Sequence, residues 1–237
     1  MSLVKDLRQM LMQSFLSLPL IIIGWIFFMG ATQGNIAYMI LSLGHMFVVP
    51  LLVLISNTVV EFIPKLYESA RVAAGYMASP PSPPSPFLTV PSADICTLLP
   101  GTAVATEVVW VAPSYWMAHI IFFTSFLVSN AITIYSMPAA EGADKEKVER
   151  RKTQVIISLS LTLLVFSALV GARYHFTKCE TLLGIALGLL LFGGLGAGWY
   201  QLVRSCSAKD SDIFGIIQGI KPEFMKDDAP MTCVYQG

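Results

Sequence analysis

The hydropathy pattern begins with a long N-terminal stretch that carries no charge. No Asp, Glu, Lys or Arg occurs from Gln9 to Val60, and this stretch holds two apolar runs, Leu11–Met29 and Ile36–Val60. A membrane-spanning helix needs about 20 mostly apolar residues. The pattern therefore predicts two membrane crossings that are joined by a turn at Gly30–Asn35.

Three further uncharged apolar runs predict three more spanning helices. They cover about Val108–Ala139, Thr153–Ala172 and Thr181–Val203. Interfacial aromatic residues, such as Trp199 and Tyr200, stand near their ends, as expected where headgroups meet hydrocarbon. The predicted fold class is all-α: a polytopic integral membrane protein with five transmembrane helices, a Pro-rich extramembrane loop and a short polar tail.

Composition agrees with a membrane protein. The chain is 55% hydrophobic and 13% charged, with a mean hydropathy of +0.68, whereas soluble domains are about 25% charged. Its 15 basic and 15 acidic residues give zero net charge, so no overall positive field favours nucleic acid. Membrane lipids and other proteins are the expected partners, and nucleic acid is not.

Five crossings divide the chain into four segments. These are an amphipathic lead-in with a transmembrane hairpin (1–62), a Pro-rich extramembrane loop (63–112), a three-helix transmembrane region (113–204) and a polar tail (205–237). The predicted crossings also define two sides of the membrane. Side one holds residues 1–10, 61–112 and 173–180, and side two holds residues 30–35, 140–152 and the tail from Arg204.

The basic residues favour side two as the cytoplasmic side. Lys and Arg number nine on side two and six on side one, and cytoplasmic loops of membrane proteins carry the excess of basic residues. The last three basic residues before the fourth run, Arg150, Arg151 and Lys152, stand at the membrane edge. They are predicted either to contact anionic lipid headgroups or to act only as a topological anchor.

The centre of the side-one loop is the segment Ser79–Pro86. Its prolines remove backbone donors and fix φ, which predicts an extended polyproline II conformation. One interpretation is a segment that docks on a partner protein, and the other is a stiff spacer. The docking residues would be Pro80, Pro81, Pro83, Pro84 and Pro86.

The four cysteines divide equally between the two sides. Cys96 and Cys179 lie on side one, where an oxidising compartment would allow a disulfide between them. Free buried thiols are the alternative. Since no cysteine or histidine spacing fits zinc, no metal site is predicted.

The predicted spans contain no acidic or basic residue, and their polar groups at depth include His45, His119 and Asn130. A haem between the two histidines is disfavoured, because a count along the helices places His45 near the midplane and His119 roughly 10 Å toward side one. Hydrogen bonding between helices is the expected role of both histidines, Asn57 and Asn130. No cofactor is predicted.

The last span carries two pairs of glycines at small-xxx-small spacing, Gly184 with Gly188 and Gly194 with Gly198. Such faces allow helix backbones to approach closely in lipid. The partner is either this chain's own helices or another membrane protein, in a homo- or hetero-oligomer.

No catalytic motif of a known type occurs, so the chain is not expected to be an enzyme. Cys179 and Glu180 near His175 form a grouping that is too poorly enclosed for a nucleophile and base. A small channel or carrier of a cellular membrane is the alternative function. Its path would be lined by Ser125, Ser129, Asn130 or the histidines.

Short motifs in the second half resemble known viral membrane proteins. The resemblance covers roughly Pro113–Ile216 and rests on motifs that are distinctive together: Asn130-Ala131, Arg150-Arg151-Lys152, Cys179-Glu180 before an apolar helix, Trp199-Tyr200, and Asp212-Ile-Phe-Gly-Ile216. These motifs are similar to inner-membrane or minor capsid proteins of large icosahedral DNA viruses of the chlorella-virus type. The resemblance implies a structural protein of a virion's internal membrane, derived from host endomembrane, which contacts the capsid through its loop and tail.

Overall fold

The structure is a computed structural model that describes residues 13–59, 62, 89–90, 109–110, 113–138, 145–177 and 179–206. Its helices are α1 (Leu18–Gln33), α2 (Ile36–Val59), α3 (Tyr115–Ser136), α4 (Lys145–Ala172, continued by a π-helical turn at Arg173–Thr177) and α5 (Leu182–Cys206). Within the described residues, α2, α3, α4 and α5 are long and apolar enough to cross a membrane. The predicted helical membrane architecture is therefore confirmed for four spans. The predicted fifth span is not, because α1 has 16 residues and a crossing needs about 20.

A tight turn joins α1 to α2. Gly34 has φ 64°, a left-handed conformation that favours glycine. Asn35 then caps α2, because its side-chain oxygen accepts hydrogen bonds from the backbone N–H groups of Ala37 (2.9 Å) and Tyr38 (3.2 Å). The turn is therefore shorter than the predicted one, since α1 continues through residues 30–33.

The third span begins later than its apolar run. Val109–Trp110 (β2) pairs antiparallel with Thr89–Val90 (β1) in a two-residue ladder. The helix α3 starts only after Ser114, whose hydroxyl accepts a hydrogen bond from the Met117 backbone N–H at 3.1 Å. The apolar run therefore starts before the helix, because hydropathy alone does not distinguish a strand from a helix at its edge.

The fourth span is longer than predicted at both ends. It begins at Lys145 rather than Thr153 and continues through Thr177. Arg173, assigned from the sequence to the loop 173–180, therefore belongs to the helix. This correction matters because Arg173 is fully buried.

Helix α3 lies at the centre of the bundle and α4 at its edge. Of the apolar window of α3, 56% is buried, against 6% for α4. The main core joins α1, α2, α3 and α5 and includes Ile26, Leu41, Phe122 and Tyr200. A small second cluster, Ala131, Ile134 and Val155, packs α4 against α3.

Candidate functional site

A buried polar cluster lies at the side-one end of the bundle. It consists of Ser114 at the start of α3, Trp116 in its first turn, Arg173 in the π-helical turn of α4, and Glu180 just before α5. Arg173 is 0% and Glu180 6% exposed. Charged side chains are rarely buried unless they are paired, so the cluster marks a specific contact between three helices.

The members of the cluster neutralise one another. Arg173 Nε lies 3.6 Å from Glu180 Oε1, and Ser114 Oγ donates a hydrogen bond to the same carboxylate oxygen. The Arg173 guanidinium also stacks over the Trp116 ring, 5.2 Å from its centroid, in a cation–π contact. The geometry ties the ends of α3, α4 and α5 together.

Burial raises the pKa of the Glu180 carboxyl, although the hydrogen bond from Ser114 and the charge of Arg173 oppose this change. These two partners favour the ionised carboxyl, and burial opposes ionisation more strongly. The Glu180 side chain is buried, and its Oε1 atom already accepts a hydrogen bond from Ser114. It is therefore poorly placed to act as a general base.

Trp116 connects the cluster to the N-terminal region. Its indole Nε1 donates a hydrogen bond to the Phe15 carbonyl at 3.0 Å, and the two rings lie 5.1 Å apart. The residues before α1 therefore lie at the same end of the bundle as Ser114 and Glu180.

A second polar contact joins His45 of α2 to His119 of α3. Their Nδ1 atoms are 3.1 Å apart, and the rings are stacked with centroids 5.4 Å apart. The two histidines were predicted to lie at different depths in the membrane, and this prediction was wrong. The count assumed straight helices whose ends lie at the same two levels. The side chains instead meet inside the bundle, where His45 is 1% and His119 3% exposed.

The distance between the two imidazole nitrogens distinguishes a bridging metal ion from a direct hydrogen bond. An iron between two imidazole nitrogens separates them by about 4 Å, twice a metal–nitrogen bond of about 2.0 Å. At 3.1 Å the Nδ1 atoms fit a direct N–H···N hydrogen bond. Among the described residues, no group of three or more His, Cys, Asp or Glu side chains is placed to bind a metal.

Side chains from neighbouring helices hydrogen-bond to carbonyls in or just before two π-helical turns. The first, Gly44–Val48 in α2, follows Ile40, whose carbonyl accepts a hydrogen bond from Trp199 Nε1 at 3.0 Å. The second, in α5, ends at Gly193, whose carbonyl accepts from Ser125 Oγ at 2.6 Å. A π-turn disturbs the regular helical bonding, and here the adjacent carbonyls gain partners from other helices.

The predicted packing glycines of α5 divide into two groups. Gly184 and Gly188 are buried, and a Cβ on Gly188 would lie 2.9 Å from Ile121. In contrast, Gly194 and Gly198 are exposed, with no described atom within 4 Å of an added Cβ. The tightest glycine contact between α5 and α3 among the described residues is at Gly196, where a Cβ would overlap the Phe122 carbonyl. The glycine spacing in the sequence did not single out this residue.

The basic residues at the start of α4 also differ in their surroundings. Arg150 is exposed, and Lys152 pairs with Glu149 at 3.5 Å. Arg151 is only 4% exposed and donates a hydrogen bond to the Met137 carbonyl at 2.6 Å. Arg151 therefore bonds to the C-terminal end of α3, and contact of Arg150 and Lys152 with lipid headgroups stays a prediction.

Cys179 forms a disulfide bond and so does not offer a thiol nucleophile. Its predicted partner Cys96 lies outside the described residues, as do the docking prolines Pro80, Pro81, Pro83, Pro84 and Pro86. Their pairing and docking stay predictions. Asn130, predicted to bond between helices, is fully buried in α3.

Comparison with protein-family models, curated proteins and solved structures finds no match for this chain.

Proposed function

We propose that this chain is a structural membrane protein of a virion, embedded in the internal membrane and anchoring that membrane to the capsid. The resemblance of Pro113–Ile216 to viral membrane proteins suggests the virion. The polar groups inside the bundle support a structural role independently of that resemblance.

The observation that carries the proposal is that buried polar side chains connect helices to one another. Arg173 pairs with Glu180 between α4 and α5, Ser125 bonds the α5 backbone from α3, and Trp199 bonds the α2 backbone from α5. A carrier that alternates between two states must break and remake such contacts. Cross-helix bonds of this kind favour a bundle that holds one arrangement.

The same contacts argue against a water-filled path through the described part of the bundle. Ser125 and the two histidines, which a path would need, bond to other groups of the chain. Asn130 is fully buried. A structural role is therefore favoured over the channel alternative.

We further propose that α1 is a fifth crossing. Residues 13–16 are already helical, and backbone bonds run from Ser17 N to Gln13 O and from Ile21 N to Ser17 O. Helical bonding over residues 13–33 gives a length of about 31 Å, close to the hydrocarbon thickness of a bilayer. The two termini would then lie on opposite sides.

Two signals support side two as the cytoplasmic side. Basic residues are more numerous there, and the disulfide at Cys179 lies at the side-one end of the bundle. Disulfides persist in oxidising compartments, such as the lumen of the endoplasmic reticulum. We propose that Cys96 is the partner and that the bridge ties the Pro-rich loop to the start of α5.

Capsid contact is assigned to the loop 61–112 and to the tail. Deletion of Ser79–Pro86 should leave membrane insertion intact and reduce incorporation into particles, because the deleted prolines would supply the docking surface. Unchanged incorporation would contradict docking by this segment and leave it as a spacer. Non-reducing peptide mass spectrometry would test the bridge, and finding both Cys96 and Cys179 alkylated in intact particles would refute it.

The deciding experiment is fractionation of infected cells with an antibody to the chain. A structural virion protein should co-purify with particles and stay with them after their outer surface is treated with protease. Recovery only from cellular membranes would overturn the virion assignment. Conductance in liposomes above that of empty liposomes would overturn the structural role in favour of a channel.

A further inference from the structure

Three consecutive residues at the side-one end of the bundle are each fixed by a different contact. Cys179 forms a disulfide bond, and Glu180 pairs with Arg173. Thr181 caps α5, because its side chain accepts a hydrogen bond from the Gly184 backbone N–H at 3.0 Å. Cys179 is 4% and Glu180 6% exposed. The disulfide therefore lies one residue from the buried carboxyl group that joins α4 to α5.

The contacts of Glu180 do not by themselves explain its burial. Burial raises the pKa of the Glu180 carboxyl, even though the hydrogen bond from Ser114 and the charge of Arg173 favour the ionised form. Removing a charge from water can cost more free energy than a buried ion pair contributes. A further constraint is therefore needed to keep this side chain in the interior, and the covalent bridge at the preceding residue supplies one.

The helix that this contact holds has little other packing at its side-one end. Only 6% of the apolar window of α4 is buried. Its last turns contact the main core through Phe166, Leu169 and Val170, which all stay partly exposed. Arg173, in contrast, is fully buried. Loss of the pairing of Arg173 should therefore loosen this end of α4 before the rest of the bundle.

We propose that the Cys179 disulfide is a redox switch that controls the contact between Arg173 and Glu180. With the bridge intact, the carboxyl group stays buried and joins α4 to α5. Reduction frees residue 179, and the carboxyl group then moves into water. The side-one end of α4 separates from α5, while Arg151 still holds the other end. This inference goes beyond the virion assignment, because the contact belongs to the chain itself, whatever membrane holds it.

A thiol–disulfide exchange opens the switch, and its reductant is a dithiol. One thiolate of the dithiol attacks a sulfur of the bridge, which forms a mixed disulfide and expels the other sulfur as a thiolate. The second thiolate of the reductant then attacks the mixed disulfide. The dithiol is thereby oxidised to a disulfide, and the chain gains two electrons and two protons as two thiols. Attack at either sulfur of the bridge gives the same products.

The test measures amide hydrogen exchange of the full chain in lipid nanodiscs before and after treatment with dithiothreitol. We expect the exchange rate to rise about tenfold in the π-helical turn 173–177 and in the first turn of α5, the effect of one lost hydrogen bond to a charged group. Exchange in the middle of α3 should stay unchanged, because the central core lies away from the bridge.

Three results would overturn the proposal. One is unchanged exchange at residues 173–177 after complete reduction, and another is a bridge that dithiothreitol does not reduce in the folded chain. The third is an equal rise in every helix, because the bridge would then stabilise the whole bundle rather than one contact.

Two variants assign the response to the bridge. Cys206→Ser removes the free and exposed cysteine at the end of α5 and should respond to dithiothreitol as the wild type does. Cys179→Ser lacks the bridge, so it should show the raised exchange without reductant and no further rise with it. A further rise of wild-type size in Cys179→Ser would contradict the switch. Because the wild-type measurement starts from the folded chain, the test stays decisive if Cys179→Ser does not fold.

A third variant tests whether the bridge acts through the ion pair. Replacing both members, as in Arg173→Met with Glu180→Met, removes the charges and keeps the bridge. Reduction should then leave exchange at residues 173–177 nearly unchanged. A tenfold rise in this variant would show that the bridge acts independently of the ion pair, and it would overturn the proposal.

Discussion

Helices α3 and α4 have opposite surroundings although each is apolar enough to span a bilayer. The apolar window of α3 is 56% buried and that of α4 only 6%. The central helix contains His119 and Asn130, whereas the polar side chains in the stretch 155–172 of α4 are hydroxyls, and those of Thr162 and Ser167 bond to carbonyls of their own helix. In lipid, apolar residues gain nothing from moving inward, and so imidazole and amide side chains, which need partners outside their own helix, mark the helix that faces protein.

The comparison also shows how a peripheral helix is held. A small apolar cluster around Val155 packs α4 against α3. Near the two ends of α4, Arg151 bonds to the Met137 carbonyl and Arg173 pairs with Glu180. Polar anchors at both ends therefore add to the limited apolar packing of this helix.

The largest expected effect comes from removing the Arg173 anchor. Arg173→Met leaves the Glu180 carboxylate buried without its charge partner, which should lower the free energy of unfolding by about 3–5 kcal/mol. Unfolding by SDS titration in mixed micelles measures the loss. Arg150→Met, at an exposed residue of the same helix, should change it by less than about 0.5 kcal/mol.

A double variant separates charge from packing at the same anchor. Replacing both members, as in Arg173→Met with Glu180→Met, removes the unpaired charge and should recover much of the loss. Equal unfolding free energies for Arg173→Met and Arg150→Met would contradict the role assigned to the anchor.

The next effect concerns the glycine face between α3 and α5. Gly196→Ala would place a Cβ against the Phe122 carbonyl, a backbone atom that cannot rotate away, and should cost up to about 3 kcal/mol. Gly198→Ala has no described atom within 4 Å of the new Cβ and serves as the matched control. Similar unfolding free energies for the two variants would show that α3 and α5 do not meet at Gly196.

Truncating a buried side chain of α3 should lower the free energy of unfolding somewhat less. The same truncation at a lipid-facing residue of α4 serves as the comparison. Phe126 of α3 is fully buried and contacts the Tyr200 ring edge-on at 5.3 Å, whereas Leu164 of α4 is 68% exposed. Phe126→Ala should cost about 2 kcal/mol, mainly from the cavity, since the transfer term is absent in lipid. Leu164→Ala should be nearly neutral, and an equal loss in both variants would contradict the assignment of α4 to the lipid face.

The sequence is sufficient to predict the spanning helices α2 to α5, because a run of about 20 apolar residues is a direct requirement of the bilayer. It is less informative about their ends. Arg173 resembles a loop residue until its contacts with Glu180 and Trp116 are known, and both arise from tertiary packing. Because the end of the apolar run was set by the first charged residue, α4 was predicted to end before Arg173, which was too early.

The hydropathy pattern does not predict which residues of different helices come into contact. His45 and His119 are 74 residues apart, and their meeting depends on how α2 and α3 cross. The glycines of α5 pose the same problem, because residues facing lipid and residues facing protein are equally apolar. Spacing selected Gly188, which packs against Ile121, but also Gly194 and Gly198, which are exposed, and it did not single out Gly196, which packs against Phe122.

The smallest effect distinguishes a tryptophan bonded within the bundle from one that faces lipid. Trp199 Nε1 donates to the Ile40 carbonyl beside the π-turn of α2, whereas Trp25 of α1 is 64% exposed. Trp199→Phe removes this donor and should cost about 0.6–1 kcal/mol, the usual range for one hydrogen bond between membrane helices. Trp25→Phe should leave the unfolding free energy unchanged, because its indole faces lipid.

Amide hydrogen exchange of α2 gives a second readout. The exchange rate should rise around Gly44 in Trp199→Phe alone, since the carbonyl beside the π-turn loses its bond from α5. Equal exchange in the two variants would show that the π-turn of α2 is maintained without the bond from α5.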